Sequence, residues 1–285
     1  MEKLKIAIQK SGRLSEKSQE MIREAGISLT NGKRNLVAQS HSFPVEVLYL
    51  RDDDIPQYVE DSVADIGIVG EDVFVESGKS LDLILRLGFS RCRLSLALPK
   101  RIDYNGLSWF NGKKVATSFP NILRKYLEEK KIDAEIHEIS GSVEIAPAIG
   151  LADAICDIVS SGSTLVSNGL EEVEQIMKSE AVIIGRKDLA DEKQKILDEF
   201  LFRMQSVLAA RDNKYILLNA PNDRLEEICS LIPGMKSPTI MPLSDPGWSS
   251  VHSVLNEKTF WSVIDRLRSA GAQGILVIPI EKMII

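Results

Sequence analysis

The stretch Glu144-Ile-Ala-Pro-Ala-Ile-Gly-Leu-Ala-Asp-Ala-Ile-Cys-Asp-Ile-Val-Ser-Ser-Gly-Ser-Thr-Leu165 decides how the chain reads. Within it, residues 155–159 are a short apolar run of the kind that forms a buried strand, and the run breaks off at Ser160-Ser161-Gly162-Ser163-Thr164. A strand that ends in hydroxyls and glycine makes a cup for phosphate. Gly162 lets the backbone approach a ligand, and the hydroxyls of Ser160, Ser161, Ser163 and Thr164 can donate. A helix opening near Ser163 would aim its amide N–H groups at an anion. Asp157, on the strand just before, is placed to accept hydrogen bonds from sugar hydroxyls. The competing reading is an ordinary helix entry, because Ser and Thr are favoured N-caps in any case.

Outward from this stretch, strands and helices alternate. Residues 4–9 read as a strand, Lys10-Ser11-Gly12-Arg13 as a small basic loop and 14–25 as a helix. The loop resembles phosphate-binding turns without being a Walker motif. A strand at 45–50 is followed by Arg51-Asp52-Asp53-Asp54, whose Asp53 and Asp54 read as caps of a helix running to about Val63. Another strand spans 65–70, and Glu71 opens a further helix. A second block follows, with strands at 94–98, 113–117 and 134–139 and helices at 119–129 and 143–148. The alternation implies mainly parallel sheets in two α/β lobes, with ligands at the carboxyl ends of the strands and in the cleft between lobes. The matching ends Asp-Ile-Gly-Ile-Val-Gly at 65–70 and Asp-Ile-Val-Ser-Ser-Gly at 157–162 hint at duplicated architecture.

A strand at 181–184 and a helix over 192–209, with Ile196, Phe200, Met204 and Leu208 on one core-facing stripe, lead into a different grammar. Strands at 215–218, 239–243, 249–255 and 275–279 with helices at 222–231 and 259–269 spell βαββαβ, the ferredoxin-like pattern. Such a module suits regulation or assembly, and it carries no dense polar cluster. The fold class expected is therefore α/β: residues 1–92 with 184–212 as lobe I, 93–183 as lobe II, and 213–285 as a third domain.

Composition narrows the function. The chain has 285 residues, 44% of them hydrophobic, and a net charge of −6. That balance argues against nonspecific nucleic-acid or membrane binding, which wants a basic surface. No run approaches the length of a membrane span, and the start leads straight into a strand, so a cytoplasmic address is expected. Cys92, Cys156 and Cys229 are odd in number and far apart, and they read as reduced thiols among apolar neighbours. With only His41, His137 and His252, a zinc site is disfavoured. A polyanionic substrate would be held by local devices and by Mg²⁺ brought in with its phosphates.

Glu144, Gly150, Ala152, Ile155, Asp157, Ile158, Ser161, Gly162, Thr164 and Leu165 together resemble, at every fixed position, the signature of the ATP phosphoribosyltransferase family. The resemblance extends to Gln9-Lys10-Ser11-Gly12-Arg13-Leu14, Leu50-Arg51-Asp52-Asp53-Asp54-Ile55-Pro56, Ala116-Thr117-Ser118-Phe119-Pro120, Ser237-Pro238-Thr239-Ile240 and Pro279-Ile280-Glu281-Lys282. It spans essentially the whole chain and points to the long form, which carries its own regulatory domain. The resemblance implies transfer of 5-phosphoribosyl from phosphoribosyl pyrophosphate to N1 of ATP, with Mg²⁺ required. It also implies two periplasmic-binding-protein-like lobes, an ACT-like domain that binds histidine as inhibitor, and dimers that assemble into hexamers.

On that resemblance, Ser160 to Thr164 would grip the 5-phosphate and Asp157 the ribose. Glu144 would either orient the ribose or serve Mg²⁺, and the resemblance assigns no metal ligand. Lys10, Gly12 and Arg13 would meet pyrophosphate or ATP oxygens. Arg51 and Asp52 would line the cleft from lobe I, and Thr117 and Ser118 from lobe II. Asn219, Met235, Thr239 and Gly274 would form the histidine pocket. The alternatives from other classes are a silent solute-binding protein using the same cleft and a purely partner-binding module.

Overall fold

The computed structural model describes residues 2–30 and 36–285, organised around three sheets. In chain order the first part comprises β1 (Leu4–Gln9), α1 (Arg13–Glu24), β2 (Val37–Gln39), β3 (Val45–Leu50), α2 (Ile55–Glu60), β4 (Ile66–Gly70), α3 (Glu71–Ser77) and β5 (Asp82–Arg86). The chain then builds β6 (Cys92–Pro99), β7 (Lys114–Thr117), α4 (Pro120–Lys130), β8 (Glu135–Glu138), β9 (Ala154–Val159), α5 (Ser163–Ser167) and β10 (Leu170–Ser179). It returns as β11 (Ala181–Gly185) and leaves through the long α6 (Asp191–Arg211).

Sheet I runs β2-β3-β1-β4-β11-β5, and sheet II runs β10-β6-β9-β7-β8. The expected parallel arrangement holds for only part of each, and in sheet I the short β2 is antiparallel to β3. β1 is parallel to β3 and β4, whereas β11 is antiparallel to β4 and β5. Likewise β7 is parallel to β8 and β9, whereas β6 is antiparallel to β9 and β10. The antiparallel strands arise because the chain crosses between lobes after β5 and again after β10, entering each sheet from the opposite direction. Apart from the short β2, the two sheets share one strand order, so the duplication hinted at by sequence is real at the level of topology.

Other departures have local causes. The helix expected to reach Val63 stops at Glu60, where Ser62 adopts a left-handed backbone with φ of 64°. The helix expected over 143–148 is only a 3-10 turn, Val143–Ile145, followed by turns to Gly150. Strands β2, β5 and β10 add to the expected set. In α6, Phe200 and Met204 are fully buried, and Leu197 and Val207 join them, while Ile196 and Leu208 are only half-buried.

The chain divides into two compact units. The first runs to Arg23 and resumes over Ile27–Asp198, holding sheets I and II; the second comprises Glu24–Gly26 and Glu199–Ile285. In the second, β12 (Asn213–Pro221), α7 (Leu225–Leu231), β13 (Thr239–Pro242), β14 (Trp248–Asn256), α8 (Glu257–Ser269) and β15 (Gln273–Pro279) form the expected βαββαβ. Its sheet order is β13-β14-β12-β15, antiparallel throughout. The helices cover one face over a core that includes Ile216, Leu218, Val251, Phe260 and Leu267.

Asp65 anchors lobe I. Its carboxylate accepts the Lys5 backbone N–H at 2.8 Å and the Lys193 ammonium, from the first turn of α6, at 2.8 Å, with only 8% of its side chain exposed. Asp65→Ala strands both partners and is expected to cost about 2–3 kcal/mol, read as a lowered urea midpoint. Lys193→Ala, at a partly solvated position, is expected to cost less than half as much.

Candidate active site

The parallel register of β1 and β3 sets Gln9 beside Leu50, so the loops that follow both strands emerge side by side. The Lys10 N–H donates to the Leu50 carbonyl at 2.7 Å, and the Gln9 amide donates to the Asp52 carboxylate at 3.1 Å. Lys10, Gly12, Arg13 and Arg51 are exposed along this edge, and Gly12 holds a φ of 96°, which disfavours any side chain there. Asp53 and Asp54 do not act as caps: neither the 3-10 turn Asp52–Asp54 nor α2 has a side-chain cap hydrogen bond. Asp53 instead faces a cleft, where burial and then the neighbouring Asp52 push its carboxyl up.

On the lobe II edge, the register sets Thr117 beside Cys156. Thr117 is fully buried, contrary to the expectation that it lines the cleft. Its hydroxyl accepts the Phe119 N–H at 2.9 Å and shapes the turn into α4. Ser118 is the cleft residue of that pair. One strand over, half-buried Asp157 precedes an exposed cup of Ser160, Ser161, Ser163 and Thr164. Gly162 takes a φ of 81°, and the Ser161 and Ser163 hydroxyls lie 2.9 Å apart. Helix α5 has only five residues, so the anion-binding capacity of the cup rests on its hydroxyls and backbone N–H groups rather than on a long helix dipole. Glu144 comes close enough that its charge adds to burial in pushing the Asp157 carboxyl up. The Asp157 carboxylate accepts the Ile158 N–H at 2.8 Å, and two carboxylates so placed suit sugar hydroxyls or a hard cation. Among the described residues, no group of three or more His, Cys, Asp or Glu could hold a metal by itself.

A cleft of about 660 Å³ is lined by Arg51, Asp53 and Glu76 from lobe I and by Ser118, Arg124 and Glu138 from lobe II, and its lining includes neither Lys10 and Arg13 nor Asp157 and the cup. Glu76 spans it. Its carboxylate accepts the Asn121 N–H at 2.8 Å and the Ile122 N–H at 2.9 Å, capping α4 of one lobe from α3 of the other. No hydrogen bond or ion pair among the described residues ties Lys10 or Arg13 to the cup.

A second cavity of about 560 Å³ lies at the crossovers and is lined by Ser160, Arg93, Cys92, Glu71 and Arg86. Behind it Asp72 is buried, receiving the Ser179 hydroxyl at 2.8 Å and facing the Cys92 thiol at 4.0 Å. Gly70 is required here, because a Cβ would stand 2.2 Å from the Asp72 carboxylate. Cys92 is thus no purely apolar core thiol; burial, then the Asp72 charge, push it up to about 11. Glu76, Asp72, Arg93 and Arg124 escaped the sequence reading, since nothing local marks them.

In the C-terminal unit, Asn219 and Gly274 meet: a Cβ on Gly274 would lie 3.4 Å from the Asn219 amide. Thr239 and Met235 are exposed, and Thr239 stands in the row of His252 and Leu217, not in that of Asn219. The module does carry a polar cluster, with His252 bridging the Tyr215 hydroxyl at 2.7 Å and the Ser250 hydroxyl at 3.0 Å.

Residues 51–206 match the family described as HisG, ATP phosphoribosyltransferase, and residues 210–282 match the HisG C-terminal domain. A Bacteroides thetaiotaomicron ATP phosphoribosyltransferase is 61% identical over 282 residues, covering 99% of this chain and all of the relative. A Cytophaga hutchinsonii ATP phosphoribosyltransferase is 57% identical, covering 99% and 98%. The ATP phosphoribosyl transferase (HisG:HisZ) complex from Thermotoga maritima superposes with a TM-score of 0.63 at 32% identity, covering 72% of this chain and 98% of that one. Tv2483 bound to L-arginine shares the fold alone, at a TM-score of 0.51 and 12% identity over 72% of this chain and 85% of that one. The expected class, two lobes with a C-terminal module, is the one observed.

Asp72 provides a test of the crossover region. Burial raises its carboxyl above the unfolded value, so the folded state holds this proton more tightly and loses stability as pH rises through the folded pKa. Asp72→Asn removes that titration. Its thermal midpoint relative to wild type is expected to rise from pH 4 to pH 8 by about 2–4 °C, read by calorimetry.

Proposed function

The chain belongs to the ATP phosphoribosyltransferase family, and from that membership we propose how its residues divide the reaction. The enzyme transfers 5-phosphoribosyl from phosphoribosyl pyrophosphate to N1 of ATP, giving phosphoribosyl-ATP and pyrophosphate at the start of histidine biosynthesis. The adenine nitrogen lends its electron pair to the anomeric carbon as the bond to pyrophosphate breaks. The transition state is oxocarbenium-like and needs no covalent nucleophile. The protein's work is to hold both partners in line and to balance the charge that moves onto pyrophosphate.

The observation that carries the site assignment is the exposed loop 160–164 directly beyond Asp157, at the carboxyl edge of the lobe II sheet. In this reading the cup holds the 5-phosphate while Asp157 takes the ribose hydroxyls, with Glu144 beside it. Lys10, Gly12 and Arg13 meet pyrophosphate or ATP oxygens, and Arg51, Asp52 and Ser118 bound the adenine nucleotide. Thr117 serves through its backbone. Mg²⁺ supplies charge neutralisation on the phosphates. The paired carboxylates Glu144 and Asp157 are where a cation held mostly by substrate would meet the protein.

The βαββαβ unit (213–285) is the proposed histidine-binding ACT-like domain, with Asn219 and Gly274 at the pocket and Met235 and Thr239 at its rim. In this reading the expected lobe bounds, 1–92 with 184–212 and 93–183, shift slightly: lobe I ends before Cys92 and resumes at Ala181, because β6 belongs to sheet II and β11 to sheet I, and lobe II is the stretch between. The exposed apolar side chains of Met241, Leu276 and Ile278 on the open face of the C-terminal sheet support self-association from dimers to hexamers. Three unpaired cysteines suit a reducing cytoplasm, and among the described residues no helix is long and apolar enough to cross a membrane.

Incubation with ATP, phosphoribosyl pyrophosphate and Mg²⁺ is expected to yield an N1-substituted adenine, followed by absorbance; no product would reject the assignment. Asp157→Ala is expected to lower kcat by about 10²–10³. Because the wild-type carboxyl is strained upward by burial, the variant's melting temperature is expected to equal or exceed that of wild type. Asn219→Ala is expected to raise the histidine concentration for half-inhibition about tenfold, about 1.4 kcal/mol, with kcat unchanged within about twofold.

A further inference from the structure

We propose that Arg93 is a positioning residue that fixes the 160–164 loop in its phosphate-receiving shape, with Glu172 as the anchor that aims it. The proposal rests on the reading of that loop as the 5-phosphate site and adds the device that holds it.

Three bonds carry the inference. β6 runs antiparallel to β9 with Arg93 opposite Val159, which sets the arginine one residue from the start of the loop. Its Nη1 donates to the Ser160 carbonyl at 3.2 Å. Its Nε and Nη2 form a bidentate pair with the Glu172 carboxylate from β10 on the other side. Glu172 is itself steadied by the Ser95 hydroxyl at 2.8 Å, and its carboxyl is drawn down, first by the Arg93 hydrogen bonds. The planar fork of arginine can serve two directions at once, and an ammonium cannot reproduce that.

The Ser160 carbonyl matters for a geometric reason. A loop that receives an anion must turn its N–H groups toward the ligand and its carbonyls away. A cation drawing the first carbonyl backward does this before substrate arrives, so the ordering is not charged to binding. Three of the five N–H groups of Arg93 are spent on Glu172 and Ser160, which holds its guanidinium against the loop. Its partners lie 67 and 79 residues away in sequence, joined only because sheet II sets β6 between β9 and β10.

The test is steady-state kinetics on the full-length enzyme for Arg93→Lys, Arg93→Gln and Glu172→Gln, with Thr164→Val as control on the loop. Both Arg93 variants are expected to raise KM for phosphoribosyl pyrophosphate about tenfold and to leave KM for ATP within about twofold. Glu172→Gln is expected to raise it about threefold, since a loosened arginine aims the carbonyl poorly. Should either Arg93 variant fail to fold, Glu172→Gln alone decides. Wild-type behaviour of Arg93→Lys would reduce the role to simple charge and overturn the proposal, as would equal rises in both KM values. So would tighter or unchanged phosphoribosyl pyrophosphate binding in Glu172→Gln, the result expected if the arginine touched substrate itself. If Thr164→Val leaves that KM untouched, the loop reading fails first; if it raises KM while the Arg93 variants do not, only the positioning role fails.

Discussion

Everything in the first unit depends on β11 being wedged between β4 and β5. Ala181, Val182, Ile183 and Ile184 have no solvent exposure, and each contributes apolar burial of the order of 1–3 kcal/mol. Sheet I is incomplete until the chain has built lobe II and returned, so the lobes are joined by two crossovers instead of one. Asp72 sits where both crossovers meet, held by Ser179 at the end of β10 and facing Cys92 at the start of β6. A buried carboxyl whose proton is held tightly, bonded across both connections, ties the junction to the same strands that carry the site.

The site follows from register more than from side-chain packing. Parallel pairing aligns Gln9 with Leu50 and Thr117 with Cys156, so each lobe delivers two loops to one edge without any further instruction. The edges differ in electrostatic character. Lobe I offers Lys10, Arg13 and Arg51, and lobe II offers hydroxyls with the Glu144 and Asp157 carboxylates. An anionic sugar phosphate with cis hydroxyls matches the second edge, and a polyphosphate matches the first. Glu76 closes the distance between them by capping α4, occupying amides that would otherwise face the cleft.

The cup was legible because its chemistry is contiguous: four hydroxyl residues around one glycine, one acid, one strand. The C-terminal module was legible because β12 and β14 alternate with period 2 and compact apolar runs mark its other elements. What escaped has physical causes. β10 is broken by two register shifts, between Glu172 and Glu174 and between Gln175 and Met177, so its half-buried Val173, Ile176 and Met177 never alternate as a strand should. Thr117 is expected in the cleft because the stretch Ala116-Thr117-Ser118-Phe119-Pro120 resembles the family, yet its oxygen accepts a backbone N–H. Arg93 carries no local signal at all, because its meaning lies in two partners set by topology.

The duplication deepens this point. β4 and β9 are topological equivalents, each flanked by a parallel strand on one side and an antiparallel one on the other. The sequence match that hinted at the repeat is nonetheless out of register. Asp65 precedes its strand and pins Lys5 and Lys193, whereas Asp157 lies near the end of its own. The true counterpart of the hydroxyl cup is Gly70-Glu71-Asp72, where β4 enters α3. There the hydroxyls are replaced by acids, Glu71 paired with Arg86 and Asp72 turned into the crossover. One fold unit used twice has thus given its strand-to-helix turn different duties: in lobe I the acids pair with Arg86 and with Ser179 across the crossover, and in lobe II the turn keeps its hydroxyls exposed.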